Sequence, residues 1–461
     1  MSNAAFNSLN LKPELLTTLE SLKYTAMTPI QEKSLPPILA GKDVIAQGQT
    51  GSGKTAAFAL GLLQKLNVKR FRIQTLVLCP TRELADQVAT EIRTIARGIH
   101  NIKVLTLCGG MPFGPQVGSL EHGAHIIVGT PGRIDDHLNR KTLSLADVDT
   151  LVLDEADRML DMGFQETLDA IIDRTPKHRQ TLLFSATYPD TIQAIAKRVM
   201  KSPEMIKVAS QHSESTIQEI FYKVDGESHR LTAVRLLLQA HKPQSTIVFC
   251  NMKKDTQAVA DSLCDHGFAA LALNGDLEQR DRDKMLVQFA NKSATVLVAT
   301  DVAARGLDIS DLDAVINFNL AHDPEVHTHR IGRTGRAGSK GIACTLYNEK
   351  ESYRAAQLDS LVDPIDDCQP LPSSSLLQDT PPQPLNTTLL IDGGKKQKLR
   401  PGDILGALTA KNGIDGKQVG KINVAATWSY VAVNTKVAKR ALKILSEGKM
   451  KGRNFRVRTV S

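Results

Sequence analysis

Short apolar runs alternate with amphipathic stretches through most of this chain, and that alternation limits it to a few folds. The first set is Asp43 to Ala46, Thr75 to Cys79, Val104 to Cys108, His125 to Gly129, Thr150 to Leu153 and Thr181 to Ser185. Such runs suit strands buried on both faces, and the stretches between them carry helical patterning. The combination predicts an α/β fold, a parallel sheet with helices on both sides. The pattern pauses at Ser210-Gln211-His212-Ser213-Glu214-Ser215, a polar stretch suited to a hinge. It restarts with Ser245 to Cys250, Ala269 to Leu273, Thr295 to Thr300, Ala314 to Phe318 and Ala343 to Tyr347. We therefore expect two α/β domains, residues 1–209 and 217–362, joined by a hinge at 210–216.

From Asp363 to Pro384 the chain has six prolines, serines and acids, and no Lys or Arg. This composition predicts an extended, mobile linker over 363–384. Residues 385–461 form a third, small domain with a distinct charge. They hold sixteen Lys/Arg against four Asp/Glu, whereas the remainder holds 41 basic and 45 acidic residues. The overall excess of +8 is thus a property of the tail, and such a patch points to a polyanion partner such as nucleic acid. Met1 to Asn10 lacks a basic n-region and an apolar h-region, and no apolar run approaches the ~20 residues of a membrane span. We expect a cytoplasmic protein without membrane contact. The six cysteines form no CxxC pair, and Cys79, Cys108, Cys250 and Cys344 sit inside apolar runs, as core thiols do.

Chemistry concentrates first at Leu151-Val152-Leu153-Asp154-Glu155-Ala156-Asp157, where three apolar residues end in carboxylates. A strand delivering acids to the carboxyl edge of a parallel sheet looks like this, and so does an ordinary acidic helix start. The choice turns on whether the acids have a phosphate to act on. Gly48-Gln49-Thr50-Gly51-Ser52-Gly53-Lys54-Thr55 follows the run Asp43 to Ala46 and matches the phosphate-cradling G-x-x-x-x-G-K-[ST] loop. There, glycines let consecutive backbone N–H groups wrap phosphate oxygens, Lys54 neutralises charge, and Thr55 offers a hydroxyl to Mg²⁺. Asp154 then becomes the second Mg²⁺ residue, and Glu155 can orient or deprotonate a water.

With these motifs in order, the chain resembles the DEAD-box RNA helicases, ATPases with two RecA-like domains, over Phe6 to Gly338. Tyr24-Thr25-Ala26-Met27-Thr28-Pro29-Ile30-Gln31 resembles the family's Q motif, with Lys23 and Met27 in place of the usual Gly and Pro. The resemblance implies that Gln31 and Thr28 serve the adenine, with Phe6 and Tyr24 packed near the base. It implies RNA backbone contacts from Thr81 and Arg82, from Gly110 of the Gly109-Gly110 pair, and from Thr130 and Arg133 of Thr130-Pro131-Gly132-Arg133. Ser185-Ala186-Thr187 is implied to couple hydrolysis to strand separation through the carboxylates near Asp157. In the second domain, Gln279, Arg282 and Thr300 are implied RNA contacts, and Asp308 reaches the ribose. His329-Arg330-Ile331-Gly332-Arg333-Thr334-Gly335-Arg336 supplies His329 and two arginine fingers, Arg333 and Arg336. Glycines interleaved at about 1 kcal/mol each argue against a plain helix there.

The tail has the βαββαβ order of an RNA-recognition fold. We expect strands near Thr387 to Ile391, Lys421 to Ala425, Ser429 to Val433 and Phe455 to Val460, with helices near Pro401 to Lys411 and Thr435 to Ser446. Trp428 and Tyr430 alternate onto one face, where aromatics stack on unpaired bases. Behind a helicase core, this tail resembles that of the bacterial DbpA subfamily. That resemblance implies ATP and Mg²⁺ as cofactors, and 23S rRNA of the assembling large ribosomal subunit as partner. It also implies a monomer or weak self-association. A helicase acting on DNA and an ATP-gated RNA clamp or chaperone are the alternatives.

Overall fold

The computed structural model describes residues 5–48, 51–208, 217–304, 312–335, 340–358 and 369–460. The expected hinge at 210–216 lies outside the described residues, as do 363–368 of the linker.

Seven strands build the first sheet: β1 (Val44–Gln47), β2 (Thr75–Leu78), β3 (Val104–Leu107), β4 (Ile126–Gly129), β5 (Thr150–Asp154), β6 (Gln180–Ser185) and β7 (Glu204–Lys207). All pairs are parallel, in the order β3-β4-β2-β5-β6-β1-β7. Strands β2, β4, β5 and β6 are buried along their whole length, which is why they read as continuous apolar runs. Successive residues still part to opposite faces. Val77 and Val152 join one core, while Leu76, Leu78, Leu151 and Leu153 join the other. The helices that cover these faces show matching stripes. Helix Arg82–Ile95 buries Leu84, Ala85, Val88, Ala89, Ile92 and Ile95, and Thr81 caps it by accepting from the Leu84 N–H at 3.3 Å.

The second sheet holds β8 (Ile217–Lys223), β9 (Thr246–Cys250), β10 (Ala270–Leu273), β11 (Val296–Thr300), β12 (Ala314–Asn317) and β13 (Gly341–Tyr347). It too is parallel throughout, in the order β10-β11-β9-β12-β13-β8. Strands β7 and β8 are additions to the sequence-based expectation. Both are edge strands, and neither shows a continuous apolar run because only Ile206 of β7 and Ile220 to Tyr222 of β8 are buried. The four core cysteines Cys79, Cys108, Cys250 and Cys344 are buried as expected, and burial pushes each thiol up.

The tail is a four-stranded antiparallel sheet of β14 (Asn386–Ile391), β15 (Val419–Val424), β16 (Ser429–Asn434) and β17 (Val457–Thr459), ordered β15-β16-β14-β17. Helices Pro401–Thr409 and Ala438–Glu447 fall between strands in the expected βαββαβ order. Leu408 and Leu445 from these helices pack with Leu389, Ile391, Val431 and Val433 from the sheet. Over its described part the linker makes contacts with the second domain. Gln369 donates its backbone N–H to the Phe221 carbonyl at 3.3 Å, and Leu371 packs on the second-domain core. Further on, Gln239 Nε2 donates to the Asp379 carbonyl at 2.9 Å, and Gln383 Nε2 to that of Gly267 at 3.4 Å. A short 3-10 helix, Ser374–Gln378, interrupts the Pro-rich segment between these contacts. No helix among the described residues is long and apolar enough to cross a membrane.

The loop before the Q motif carries a small conformational penalty. Lys23, where the family has glycine, takes φ 61°, the left-handed region that side chains disfavour. Replacing Lys23 with Gly should therefore stabilise the protein by roughly 0.5–1 kcal/mol, read as a raised denaturation midpoint in urea. An unchanged or lowered midpoint would contradict the strain argument.

Candidate active site and RNA interface

The carboxyl ends of the first sheet gather every motif of that domain along one edge, divided into two halves by strand order. Strands β5, β6 and β1 lie side by side and end in Asp154, Ser185 and the Gly48–Thr55 loop. Strands β2, β4 and β3 form the other half and lead into Thr81, Thr130 and Gly109-Gly110. Ligands of open parallel sheets bind at this edge.

In the nucleotide half, Gln49 and Thr50 lie outside the described residues, and the rest of the loop is locked to the Q motif. The Thr28 hydroxyl donates to the Ser52 carbonyl at 2.7 Å, and Gln31 Nε2 to that of Gly53 at 3.1 Å. Gln31 Oε1 in turn accepts from the Thr28 N–H at 2.9 Å. The fit requires glycine at 53. Its φ is +92°, and a Cβ there would stand 2.5 Å from Gln31 Nε2 and 2.9 Å from Thr28 Oγ1. Gly51 also takes positive φ, at +84°. Phe6 is buried with its ring centroid 6.4 Å from that of Tyr24, whose hydroxyl donates to Glu91 Oε1 at 2.8 Å. Burial, and then Glu91, pushes the Tyr24 phenol up to about 12.

Lys54 opens helix Lys54–Lys65, next to Thr55, and is buried with Nζ 2.7 Å from the Gly48 carbonyl. Burial lowers its pKa, opposed by the charges of Asp154, Glu155 and Asp157. Asp154 is 3% exposed, and its Oδ1 accepts from the Glu155 N–H at 3.0 Å. Burial first, then the Glu155 charge, raises Asp154 from 3.8 to about 7. Glu155 sits at φ 49°, an unusual conformation for a non-glycine residue, and pairs with Arg158 at 2.8 Å in a buried ion pair. Asp157 Oδ2 accepts from the Ala186 N–H at 3.2 Å and from both the N–H and hydroxyl of Thr187 at 2.9 Å. Burial pushes Asp157 up, but those Thr187 bonds and Lys54 carry it below its ordinary value.

The buried Asp154 carboxylate and the half-buried Thr55 hydroxyl that follows Lys54 have the hard-oxygen chemistry Mg²⁺ takes. Among the described residues no three His, Cys, Asp or Glu cluster as a self-sufficient metal cage. That suits an ion which keeps waters and draws its remaining ligands from a nucleotide.

In the other half, Arg82 lies across Gly109 and Gly110. A Cβ on Gly110, whose φ is +72°, would meet Arg82 Nη1 at 1.8 Å. Arg133 donates through Nη1 and Nη2 to the Met111 carbonyl at 3.1 and 3.2 Å. Thr81, Arg82, Gly110, Thr130 and Arg133 are thus brought together around one loop, beside the N-termini of helices Arg82–Ile95 and Pro131–Asn139.

The second domain repeats the design at its own carboxyl edge. Helix Gln279–Ala290 carries Gln279, bonded to Asp283 at 2.8 Å, and Arg282, whose Nη2 donates to the Ala303 carbonyl at 2.7 Å. Thr300 ends β11, and its hydroxyl accepts from the Ala303 N–H at 3.3 Å. His329 lies on helix Pro324–Ile331, and Arg333 is buried in the turn beyond it. Asp308 and Arg336 lie outside the described residues. Sequence reasoning missed the residue at the centre, Arg330, which is 1% exposed. Its guanidinium bonds both oxygens of Asp301 at 2.7 Å, Asn251 Oδ1 at 2.8 Å and the Asn319 carbonyl at 2.7 Å. It joins the ends of β9, β11 and β12 and lies 5.2 Å from the Phe249 ring centroid. Arg158 was missed likewise, although its i+3 spacing from Glu155 was a usable signal.

The aromatics of the tail also meet the second domain. Trp428 and Tyr430 do share one face, with Leu390 and Val460, but that face is turned onto the second domain. Tyr430 is 7% exposed, and Val287 of helix Gln279–Ala290 packs into the same cluster. Arg280 lies 5.9 Å over the Trp428 ring. Polar bonds rim the contact, with Thr388 Oγ1 2.7 Å from Ser293 Oγ and 3.1 Å from Asn291 Nδ2. Exposed basic residues are spread over the rest of the tail, and six of them gather at one place. Lys395, Lys396, Lys398, Arg400, Arg453 and Arg456 occupy the loops at the end of the sheet where β14 leaves and β17 enters.

The first domain therefore has the site of a phosphate-loop NTPase. Residues 28–195 match the DEAD/DEAH box helicase family, 228–338 the helicase conserved C-terminal domain, and 388–459 the DbpA RNA binding domain. The chain is 54% identical to the ATP-dependent RNA helicase DbpA of Escherichia coli over 98% of its own length and 99% of that protein's. It is 46% identical to the DEAD-box ATP-dependent RNA helicase CshA of Geobacillus kaustophilus over 75% of this chain and 74% of that one. Saccharomyces cerevisiae Dbp5 bound to RNA and ADP BeF3 superposes with a TM-score of 0.71 at 30% identity, covering 80% of this chain and 96% of that one. The chain belongs to the DEAD-box ATP-dependent RNA helicases, in their DbpA branch.

The raised Asp154 makes a prediction of definite sign. Between about pH 4 and 7 the folded protein holds a proton there that the unfolded chain has released, so this group's contribution to stability falls as pH rises. Asp154→Asn, which cannot ionise, should gain stability over the native chain progressively across that window and level off above it. The gain should be on the order of a few kcal/mol, read by nucleotide-free thermal unfolding at stepped pH. Parallel pH curves for the two proteins would refute it.

Proposed function

We propose that this helicase uses RNA-dependent ATP hydrolysis to open short duplexes locally, and that its basic tail directs it to 23S rRNA during large-subunit assembly in the cytoplasm. The observation that carries the first part is the division of one sheet edge. The phosphate loop, Asp154 and Thr187 occupy one half, and the Gly110 loop with two helix N-termini occupies the other. Nucleotide and RNA would bind to neighbouring strands of one rigid sheet.

In this reading Gln31 and Thr28, which clasp the phosphate loop, also serve the adenine, using the second Nε2 hydrogen of Gln31. Phe6 and Tyr24 back the base. Lys54 exchanges the Gly48 carbonyl for the β- and γ-phosphates. Thr55 and Asp154 would hold Mg²⁺, which would supply charge neutralisation at the phosphates. Glu155, aimed by Arg158, orients the attacking water and takes its proton. The second domain contributes Asp308 to the ribose, with His329, Arg333 and Arg336 for transition-state charge. Thr187, bonded to Asp157 one strand away from the phosphate loop, transmits the state of the nucleotide site. Thr81, Arg82, Gly110, Thr130, Arg133, Gln279, Arg282 and Thr300 meet the RNA backbone through cations, hydroxyls and N–H groups.

Three experiments test the two parts. Glu155→Gln should retain ATP-dependent RNA binding while RNA-stimulated hydrolysis falls on the order of 10²-fold or more. Native protein should separate a short duplex in a strand-displacement assay, and its failure to do so with hydrolysable ATP would instead identify a clamp. For the tail, deletion would expose the apolar face on Val287, so charge reversal is cleaner. Changing Lys395, Lys396, Lys398 and Arg400 to Glu should erase preference for 23S rRNA fragments in a competition assay. Maximal stimulation by generic RNA should remain. A full preference in that variant would sink the docking model.

A further inference from the structure

Gln116 and His137 belong to none of the motifs above, yet they tie two of them together. Gln116, on helix Phe113–Glu121, is 9% exposed and donates from Nε2 to the Cys108 carbonyl at 3.0 Å, just before Gly109. Its Oε1 lies 3.0 Å from Nε2 of His137, a side chain that is 0% exposed. His137 is on helix Pro131–Asn139, whose first turn contains Arg133. Its Nδ1 lies 2.7 Å from Thr142 Oγ1.

The direction of every bond in this chain follows from its end. A backbone carbonyl only accepts, so the Gln116 amide nitrogen faces Cys108 and its oxygen faces the imidazole. The neutral His137 then carries its proton on Nε2, and its Nδ1 shares the single Thr142 hydroxyl hydrogen with the His137 carbonyl, 3.1 Å from Thr142 Oγ1. Burial first, and then Arg133, holds the imidazole below its ordinary pKa, which keeps it in this neutral form. The Phe113 ring stacks on the imidazole at 4.2 Å between centroids and 19° between planes.

Helix Pro131–Asn139 thus grips the Gly109-Gly110 loop at both ends. Arg133 holds Met111, and His137 holds Cys108 through Gln116. We infer that Gln116 and His137 are positioning residues for RNA, fixing the Gly110 loop against the Thr130 helix start so that both meet one strand. The inference rests on the reading that this loop and helix contact RNA. A loop already held in place loses no freedom on binding, so the effect falls on affinity for RNA.

The test uses full-length protein and ATPase stimulation by a generic single-stranded RNA. Gln116→Leu keeps the volume and cuts both bonds. It should raise the half-saturating RNA concentration about tenfold, with the maximal rate and the affinity for a fluorescent ADP analogue within about twofold of native. His137→Phe, which keeps a ring on Phe113, should do the same, and the double variant should be no worse than either single one. His137→Gln, whose amide can place an N–H near the imidazole Nε2–H, should recover most of the loss. Unchanged RNA half-saturation in Gln116→Leu and His137→Phe would overturn the inference, as would multiplying losses in the double variant or a matching loss of ADP affinity. Arg133→Ala separates the two levels. If it weakens RNA and Gln116→Leu does not, only the positioning role fails. If Arg133→Ala has no effect on RNA, the contact reading fails and the inference with it.

Discussion

A lysine ammonium buried beside three carboxylates is the interaction on which this fold depends. Placing Lys54, Asp154, Glu155, Asp157 and Arg158 at the end of a sheet removes five charges from water. Such a cluster persists only when each group is answered locally. Asp157 takes three donors from residues 186 and 187, Glu155 takes Arg158, and Lys54 takes the Gly48 carbonyl. Asp154 has the N–H of Glu155 and is the member whose pKa rises to about 7. The acid left least satisfied is the one whose chemistry suits a cation. The imbalance is concentrated on one carboxylate at the end of β5.

That cluster also explains the strand order. Asp157 can reach Thr187 only because β5 and β6 are neighbours, and Lys54 reaches the acids because β1 flanks β6 on its other side. Helix Arg82–Ile95 and the Gly110 loop stand on β2 and β3, outside this trio. The two halves of the sheet edge meet at the β2–β5 pair, along which Leu78 aligns with Leu153.

How much of this was legible in the sequence depended on where each residue found its partners. Strands buried on both faces, such as β2 and β5, are apolar at every position and could be read directly. Edge strands β7 and β8 were not, since half their residues face solvent. Gly53 and Gln31 were legible as motif members, but their interlock across 22 residues was not. Arg330 is the clearest loss. The motif drew attention to Arg333 and Arg336 and left Arg330 without a role. Its burial comes from acceptors at 251, 301 and 319, which no local pattern reports. Gln116 and His137 fall in the same class. The tail's aromatics were placed on the correct face, and what that face touches lies more than a hundred residues away in Val287 and Arg280.

The contact between the tail and the second domain changes what the tail can contribute. Arg280 and Val287 are seven residues apart, two helical turns, and so share a stripe on helix Gln279–Ala290. Arg282 falls about 160° further round from Arg280, where its Nη2 reaches the Ala303 carbonyl. One helix therefore serves the tail on one side and the carboxyl edge of the second sheet on the other. Residues 369–384 leave little slack, because Gln369, Asp379 and Gln383 are each bonded to the second domain. A tether of free Pro-rich chain would hold RNA within a wide volume and lose effective concentration as that volume grows. A tail seated on this helix instead holds its basic loops in a fixed geometry relative to the second domain.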